Sequence, residues 1–147
     1  MIIRQLSVFV ENKPGTLAEV LAALKEIEVN IRAMAVADTA DFGILRIIVN
    51  EPDKVEQALR AAGFTVKITQ VLMLNVNDSP GSLYEQLQKL SEAGVNIEYV
   101  YAFAAAGDDY ARVVIKVDNL AKAERIANGE EQKSEQEQIE TLPAFYW

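Results

Sequence analysis

The stretch from Met1 to Gly129 carries one pattern twice, at a constant offset of 66 residues and without a gap. Asn12-Lys13-Pro14-Gly15-Thr16-Leu17 is answered by Asp78-Ser79-Pro80-Gly81-Ser82-Leu83. The same offset pairs Ile2 with Ile68, Leu6 with Leu72, Val10 with Val76, Glu19 with Glu85, Leu21 with Leu87, Leu24 with Leu90 and Glu26 with Glu92. Val29-Asn30-Ile31 falls on Val95-Asn96-Ile97, Arg46 on Arg112, Ala61 on Ala127 and Gly63 on Gly129. Duplication at this period fixes the architecture as two copies of one supersecondary unit before any propensity is consulted.

Each copy is so short that it buries only about 60% of its surface by itself, so each is expected to lean on the other. The division is read as residues 1–66, residues 67–129 and an acidic tail, 130–147. No apolar run reaches the roughly 20 residues that span a bilayer. Met1-Ile2-Ile3-Arg4-Gln5-Leu6 alternates like a strand rather than a secretion signal, and a cytoplasmic location is expected. The chain has no cysteine and no histidine. That removes disulfides, thiolate and imidazole metal centres, and the nucleophile systems built on histidine. The net charge of -8 disfavours nucleic acid, whose binding needs lysine and arginine against phosphate. Half of that charge is local: Glu130, Glu131, Glu135, Glu137 and Glu140 outweigh Lys133 in the tail.

Within a copy, Ile2 to Val10 alternates as a strand. Pro14-Gly15 then breaks the chain, and Leu17, Val20, Leu21, Leu24 and Ile27 follow at helical spacing. Thr16 with Glu19, and Ser82 with Glu85, have the spacing of a capping box. Two strands come next, Val29 to about Ala37 and Gly43 to Asn50, as a hairpin. A second helix begins at Pro52-Asp53, turns Val55, Ala58, Leu59 and Ala62 inward, and ends at Gly63. The run Thr65 to Asn77 serves as last strand of copy one and first strand of copy two. The order βαββαβ predicts an α+β fold: two ferredoxin-like repeats, each an antiparallel sheet with helices on one face.

The other face of the first sheet is expected to hold Ile44, Arg46 and Ile48, with Met34 and Val36 on the same parity. So apolar a surface points to pairing with another repeat, and a homodimer is expected. Tyr99, Tyr101 and Phe103, where copy one has Ala33, Ala35 and Ala37, alternate with Val95 and Ile97 and read as core. The final strand of copy one is expected to be missing or displaced in copy two, since Glu130-Glu131-Gln132 replaces Phe64-Thr65-Val66. The tail reads as a solvated helix or disordered segment; its end, Phe145-Tyr146-Trp147, reads as local packing, the alternative being that the rings cover a sheet edge or close a pocket.

The repeated corner carries the chemistry. A helix's first turn offers unpaired amides and the positive end of its dipole, a site for a carboxylate. Glycine permits close approach there and proline restricts the loop. Asn12 and Asp78, two residues ahead of each proline, can accept from an ammonium group. Both groups together describe an α-amino acid. The competing reading makes Asn/Asp-x-Pro-Gly ordinary turn chemistry, and Asn30 and Asn96 ordinary turn residues.

The pattern Asn/Asp-x-Pro-Gly-x-Leu, a leucine-striped helix and Val-Asn-Ile opening the second strand resembles the ACT domain, found in allosteric enzymes and regulators of amino-acid metabolism. The resemblance covers both copies. It implies paired βαββαβ units with an amino acid bound where units meet. Asn12 and Asp78 would hold the amino group, the amides around Gly15, Thr16 and Leu17 and around Gly81, Ser82 and Leu83 would meet the carboxylate, and Asn30 and Asn96 would reach the ligand from a neighbouring strand. Where some members carry a histidine two residues ahead of the corner Asn, this chain has Val10 and Val76.

The function expected is therefore a regulatory module that binds a free amino acid, with no catalytic residues, metal or cofactor, signalling to a partner enzyme or regulator and binding neither nucleic acid nor membrane. The alternative is a protein-protein interaction module whose Pro-Gly corners are purely structural. An enzyme built on Asp108-Asp109 or on Arg46 and Arg112 is a third class, against which those residues read as turn carboxylates and solvated cations.

Overall fold

A computed structural model describes residues 1–38, 40–103 and 107–129. The tail from Glu130 to Trp147, and the expectations placed on it, lie outside the described residues. The elements are β1 (Ile2–Glu11), α1 (Thr16–Glu26), β2 (Ile31–Asp38), β3 (Phe42–Val49), α2 (Pro52–Ala61), β4 (Thr65–Asn77), α3 (Ser82–Glu92), β5 (Ile97–Phe103), β6 (Tyr110–Val117) and α4 (Leu120–Ala127).

Two compact units result. The first runs from Ile3 to Gln70, and the second joins Met1–Ile2 to the chain from Val71 onward. β4 passes from one into the other without a linker. The first unit has the strand order β2-β3-β1-β4, and the second has β4-β6-β5. In the first, β3 pairs antiparallel with both β1 and β2; in the second, β6 does so with β4 and β5. Met1 joins the second unit, its carbonyl accepting from the Met73 amide at 2.8 Å and its ammonium donating to the Met73 carbonyl at 3.2 Å.

Both cores lie between sheet and helices. Leu6, Val8, Leu45, Ile47 and Val66 meet Val20, Leu24, Val55 and Leu59 in the first; Leu72, Val113, Ile115 and Val117 meet Leu90 and Ala123 in the second. At about 1.5–3 kcal/mol for each large aliphatic side chain, this burial is the main term holding each unit. A paired ion bridge adds a clasp across the first unit, where the Arg4 guanidinium donates to both Asp53 carboxylate oxygens at 2.9 and 3.0 Å. It ties β1 to the first turn of α2, where the helix dipole also favours a carboxylate.

Three expectations are corrected. Neither capping box forms: Gly15 and Gly81 are the N-caps, with φ of 89° and 87°, and no side-chain cap bond is made at either helix. Met34 stands opposite Ile47, and Val36 opposite Leu45, so both lie on the helix-bearing face, while Ala33, Ala35 and Ala37 share the other face with Ile48, Arg46 and Ile44. The hairpin sets an even residue against an odd one, and a bulge between Ile31 and Ala33 returns Ile31 to the core side, so simple parity fails across this pair. By the same geometry Tyr99, Tyr101 and Phe103 stand opposite Lys116, Val114 and Arg112, on the face away from the second core rather than in it.

Candidate functional site

The two corners are alike bond by bond. In the first, the Asn12 amide donates to the Asp41 carbonyl at 2.9 Å, Lys13 to Glu11 at 3.0 Å, Thr16 to Lys13 at 3.4 Å and Glu19 to Gly15 at 2.9 Å. In the second, Asp78 donates to Asp109 at 3.0 Å, Ser79 to Asn77 at 2.9 Å, Ser82 to Ser79 at 3.2 Å and Glu85 to Gly81 at 3.1 Å. Among the described residues no hydrogen bond takes the amides of Gly15, Leu17 or Ala18, nor those of Gly81, Leu83 or Tyr84. The helix turn that begins at a left-handed glycine cannot supply acceptors for them, so each corner keeps a small set of donors at the positive end of an 11-residue helix. A Cβ built on Gly15 or Gly81 meets nothing within 4 Å; conformation, not crowding, requires glycine, and the space in front of the turn is open.

The side chains differ around this common frame. The Asn12 amide nitrogen donates to the Ala40 carbonyl at 3.3 Å, which leaves its Oδ1 as an acceptor. Asp78 has an exposed carboxylate at the same place. Thr16 is only 7% exposed and its Oγ1 finds no partner among the described residues, whereas the Ser82 hydroxyl lies 2.6 Å from that of Ser79. Leu17 and Leu83, read as the first rungs of the core stripes, are instead 38% and 37% exposed beside the free amides. Val10 and Val76 are buried in the two cores.

Asn30 and Asn96 are not brought to their own corners. Ile31 pairs with Val49 and Glu11 with Phe42, seven residues apart on β3, so Asn30 and Asn12 lie roughly 23 Å apart along the strands. Asn96 likewise precedes the start of β5, its amide donating to Asp118 Oδ1 at 3.0 Å. Sequence reasoning missed the Ala40 carbonyl, which orients Asn12, and the amides of Ala18 and Tyr84; helix numbering from a glycine cap would have found the latter. A shallow hollow of about 190 Å³, lined by Ser7, Phe9, Ile44, Thr65, Val66 and Lys67, opens on the face away from the helices. It lies below the roughly 300–1,000 Å³ of small-molecule pockets and touches neither corner.

Asp108, Asp109, Arg46 and Arg112 do not converge with the corner donors into an acid-base pair. Arg112 lies 3.6 Å from Asp108 and over the rings of Phe103 and Tyr110. Among the described residues there is no group of three potential metal ligands, and no helix long and apolar enough to cross a membrane.

The doubled corner and doubled βαββ order have a counterpart among known families: the family described as ACT domain pair matches residues 1–141. The chain belongs to that family. The ACT domain pair is similar to a Bacteroides thetaiotaomicron protein of known crystal structure, at 42% identity, with 89% of this chain and 90% of the other covered and a TM-score of 0.83. The regulatory subunit of aspartate kinase from Thermus thermophilus, in its ligand-free form, shares the fold at 17% identity, with 90% and 94% covered and a TM-score of 0.64. The corresponding subunit from Thermus flavus gives 16% identity, 90% and 94% coverage and a TM-score of 0.64. Comparison with curated protein sequences gives no match.

Proposed function

We propose that this ACT domain pair is a cytoplasmic regulatory module that binds a free amino acid and passes the signal to a partner enzyme or regulator, rather than carrying out a reaction. The ligand carboxylate is met by the amides of Leu17 and Ala18 with Gly15, or of Leu83 and Tyr84 with Gly81. Its ammonium is held by Asn12 Oδ1 or by the Asp78 carboxylate. Asn30 and Asn96 contact it from a neighbouring repeat. The reading rests on one observation above others: among the described residues the same donors stay unused at both corners while the bonds around them are reproduced.

The affinity required is within reach. A micromolar complex needs about 8 kcal/mol, which over the roughly ten heavy atoms of an amino acid is about 0.8 kcal/mol per atom, under the ceiling of about 1.5. A thermal-shift screen of the twenty amino acids tests it. At about one hundred times its dissociation constant the ligand adds about 2.7 kcal/mol, a shift of several degrees. Asp78→Ala and Asn12→Ala together remove that shift. A wild-type protein unmoved by every amino acid refutes the proposal, and the Pro-Gly corners are then structural.

A further inference from the structure

The second unit buries two valines outside its core. Val71 and Val114 are each 0% exposed, yet neither belongs to the cluster that packs against α3 and α4. Val71 adjoins Leu72 on β4, and Val114 lies between Val113 and Ile115 on β6. Leu72, Val113 and Ile115 face the helices, so alternation puts both valines on the other side of the sheet. Neighbours within the sheet explain part of their burial. Val114 stands between Met73 on β4 and Tyr101 on β5, whose side chains shield its flanks. A valine rising from a bare sheet still presents its methyl tips to water, and among the described residues no helix or strand of this unit crosses that side. The rings follow the same pattern, with Tyr99, Tyr101 and Phe103 all half-buried there. The first unit's sheet is covered only in part on its helix-free side: Gln5 is buried, but Phe9 and Ile44 are 48% and 36% exposed.

The chain itself supplies an occupant. Residues 130–141 hold Glu130, Glu131, Glu135, Glu137 and Glu140 against Lys133, whereas Leu142-Pro143-Ala144-Phe145-Tyr146-Trp147 holds no charge. The match to the ACT domain pair ends at residue 141, where polar gives way to apolar. A spacer so charged stays in water, while the three rings behind it each bring about 150–250 Å² to bury. Its length suffices. The spacer's twelve residues, extended, span up to roughly 40 Å, against about 20 Å for the depth of one helix layer and one sheet.

From the buried valines, the half-buried rings and an apolar end within reach, we infer that residues 142–147 dock on the helix-free side of the second unit's sheet, over Val71, Val114 and Tyr101. Aromatic meets aromatic there, with Phe145, Tyr146 and Trp147 against the rings of β5. While docked, the segment closes this side of the sheet to any other partner, and its tether gives it an effective concentration of about millimolar. The amino-acid corners take no part in the contact.

The chain has one tryptophan, Trp147, and no cysteine, so each side of the contact can carry a single reporter. In the full chain, Trp147 emission is blue-shifted from that of free tryptophan and resists acrylamide quenching. Tyr101→Glu, on the docking side, shifts it to the red; Val100→Glu, the preceding residue of β5 and 41% exposed on the other side, leaves it unchanged. Val114→Cys reads the sheet. Its thiol reacts slowly with a maleimide in the full chain and about tenfold faster in a chain ending at Thr141, where no opening step protects it. Trp147 emission at the solvent value overturns the inference, as does a Tyr101→Glu chain that keeps both its circular dichroism and the blue-shifted emission. A Val114→Cys thiol equally reactive in both chains overturns it as well, since the sheet's own side chains then set its exposure. Protection lost on dilution overturns it in favour of a second copy. If Tyr101→Glu does not fold, the thiol comparison decides alone.

Discussion

At the scale of single residues, the corner separates what the backbone needs from what the side chains add. Gly15 holds φ at 89° with open space where a Cβ would stand, so Gly15→Ala meets only the conformational penalty, about 1–2 kcal/mol, and urea denaturation should show that loss with an unchanged slope. Thr16 is the reverse case. Its hydroxyl is buried without a partner among the described residues, a state that costs about 1–3 kcal/mol, and valine keeps the branched shape without the polar atom. Thr16→Val should therefore raise the melting temperature of the ligand-free protein; a fall would show that the hydroxyl is satisfied in solution. Ser82, already within hydrogen-bond distance of Ser79, should lose stability on replacement by alanine.

Helices and strands were largely legible in the chain, because helical spacing survives in α1 and α2 and period-two alternation along most of each strand. Val20 and Leu24, Val55 and Leu59 are buried where the stripes put them, and Leu59→Ala should cost about 2–5 kcal/mol by denaturant titration. Helix starts and strand faces were less legible, for two physical reasons. A hydroxyl three residues before a glutamate has the spacing of a capping box, but a glycine in the left-handed region had already taken the cap position. Alternation fixes faces only along an unbroken strand, and the bulge at the start of β2 resets it. The Arg4–Asp53 clasp was invisible, since its partners lie 49 residues apart. The paired hydrogen bonds from Arg4 hold the Asp53 carboxyl below the usual carboxylate range. A carboxyl depressed on folding stabilises above its ordinary pKa of about 4, and loses that contribution as pH falls through its folded value. Wild type should thus exceed Asp53→Asn modestly at neutral pH, with the gap closing in acid; a gap that widens in acid would contradict the clasp. Solvent exposure of both partners keeps the effect small.

For the molecule as a whole, the duplication announced two units and the ACT pattern their fold, whereas the place of Met1–Ile2 in the second unit did not show. The sequence of copy two simply stops resembling copy one after Gly129, and nothing in Met1-Ile2 marks it as belonging to the other unit. Both bonds from Met1 to Met73 use main-chain atoms, so the methionine side chain takes no part in them. Residues added ahead of Met1 would exchange an ammonium for a peptide N–H, still a donor. A version beginning at Ile2 would forfeit both bonds, and amide hydrogen exchange at Met73 should then accelerate, with the first unit's core amides unchanged. How the leading end is processed, trimmed or tagged is in this way a matter of stability for residues more than seventy positions downstream.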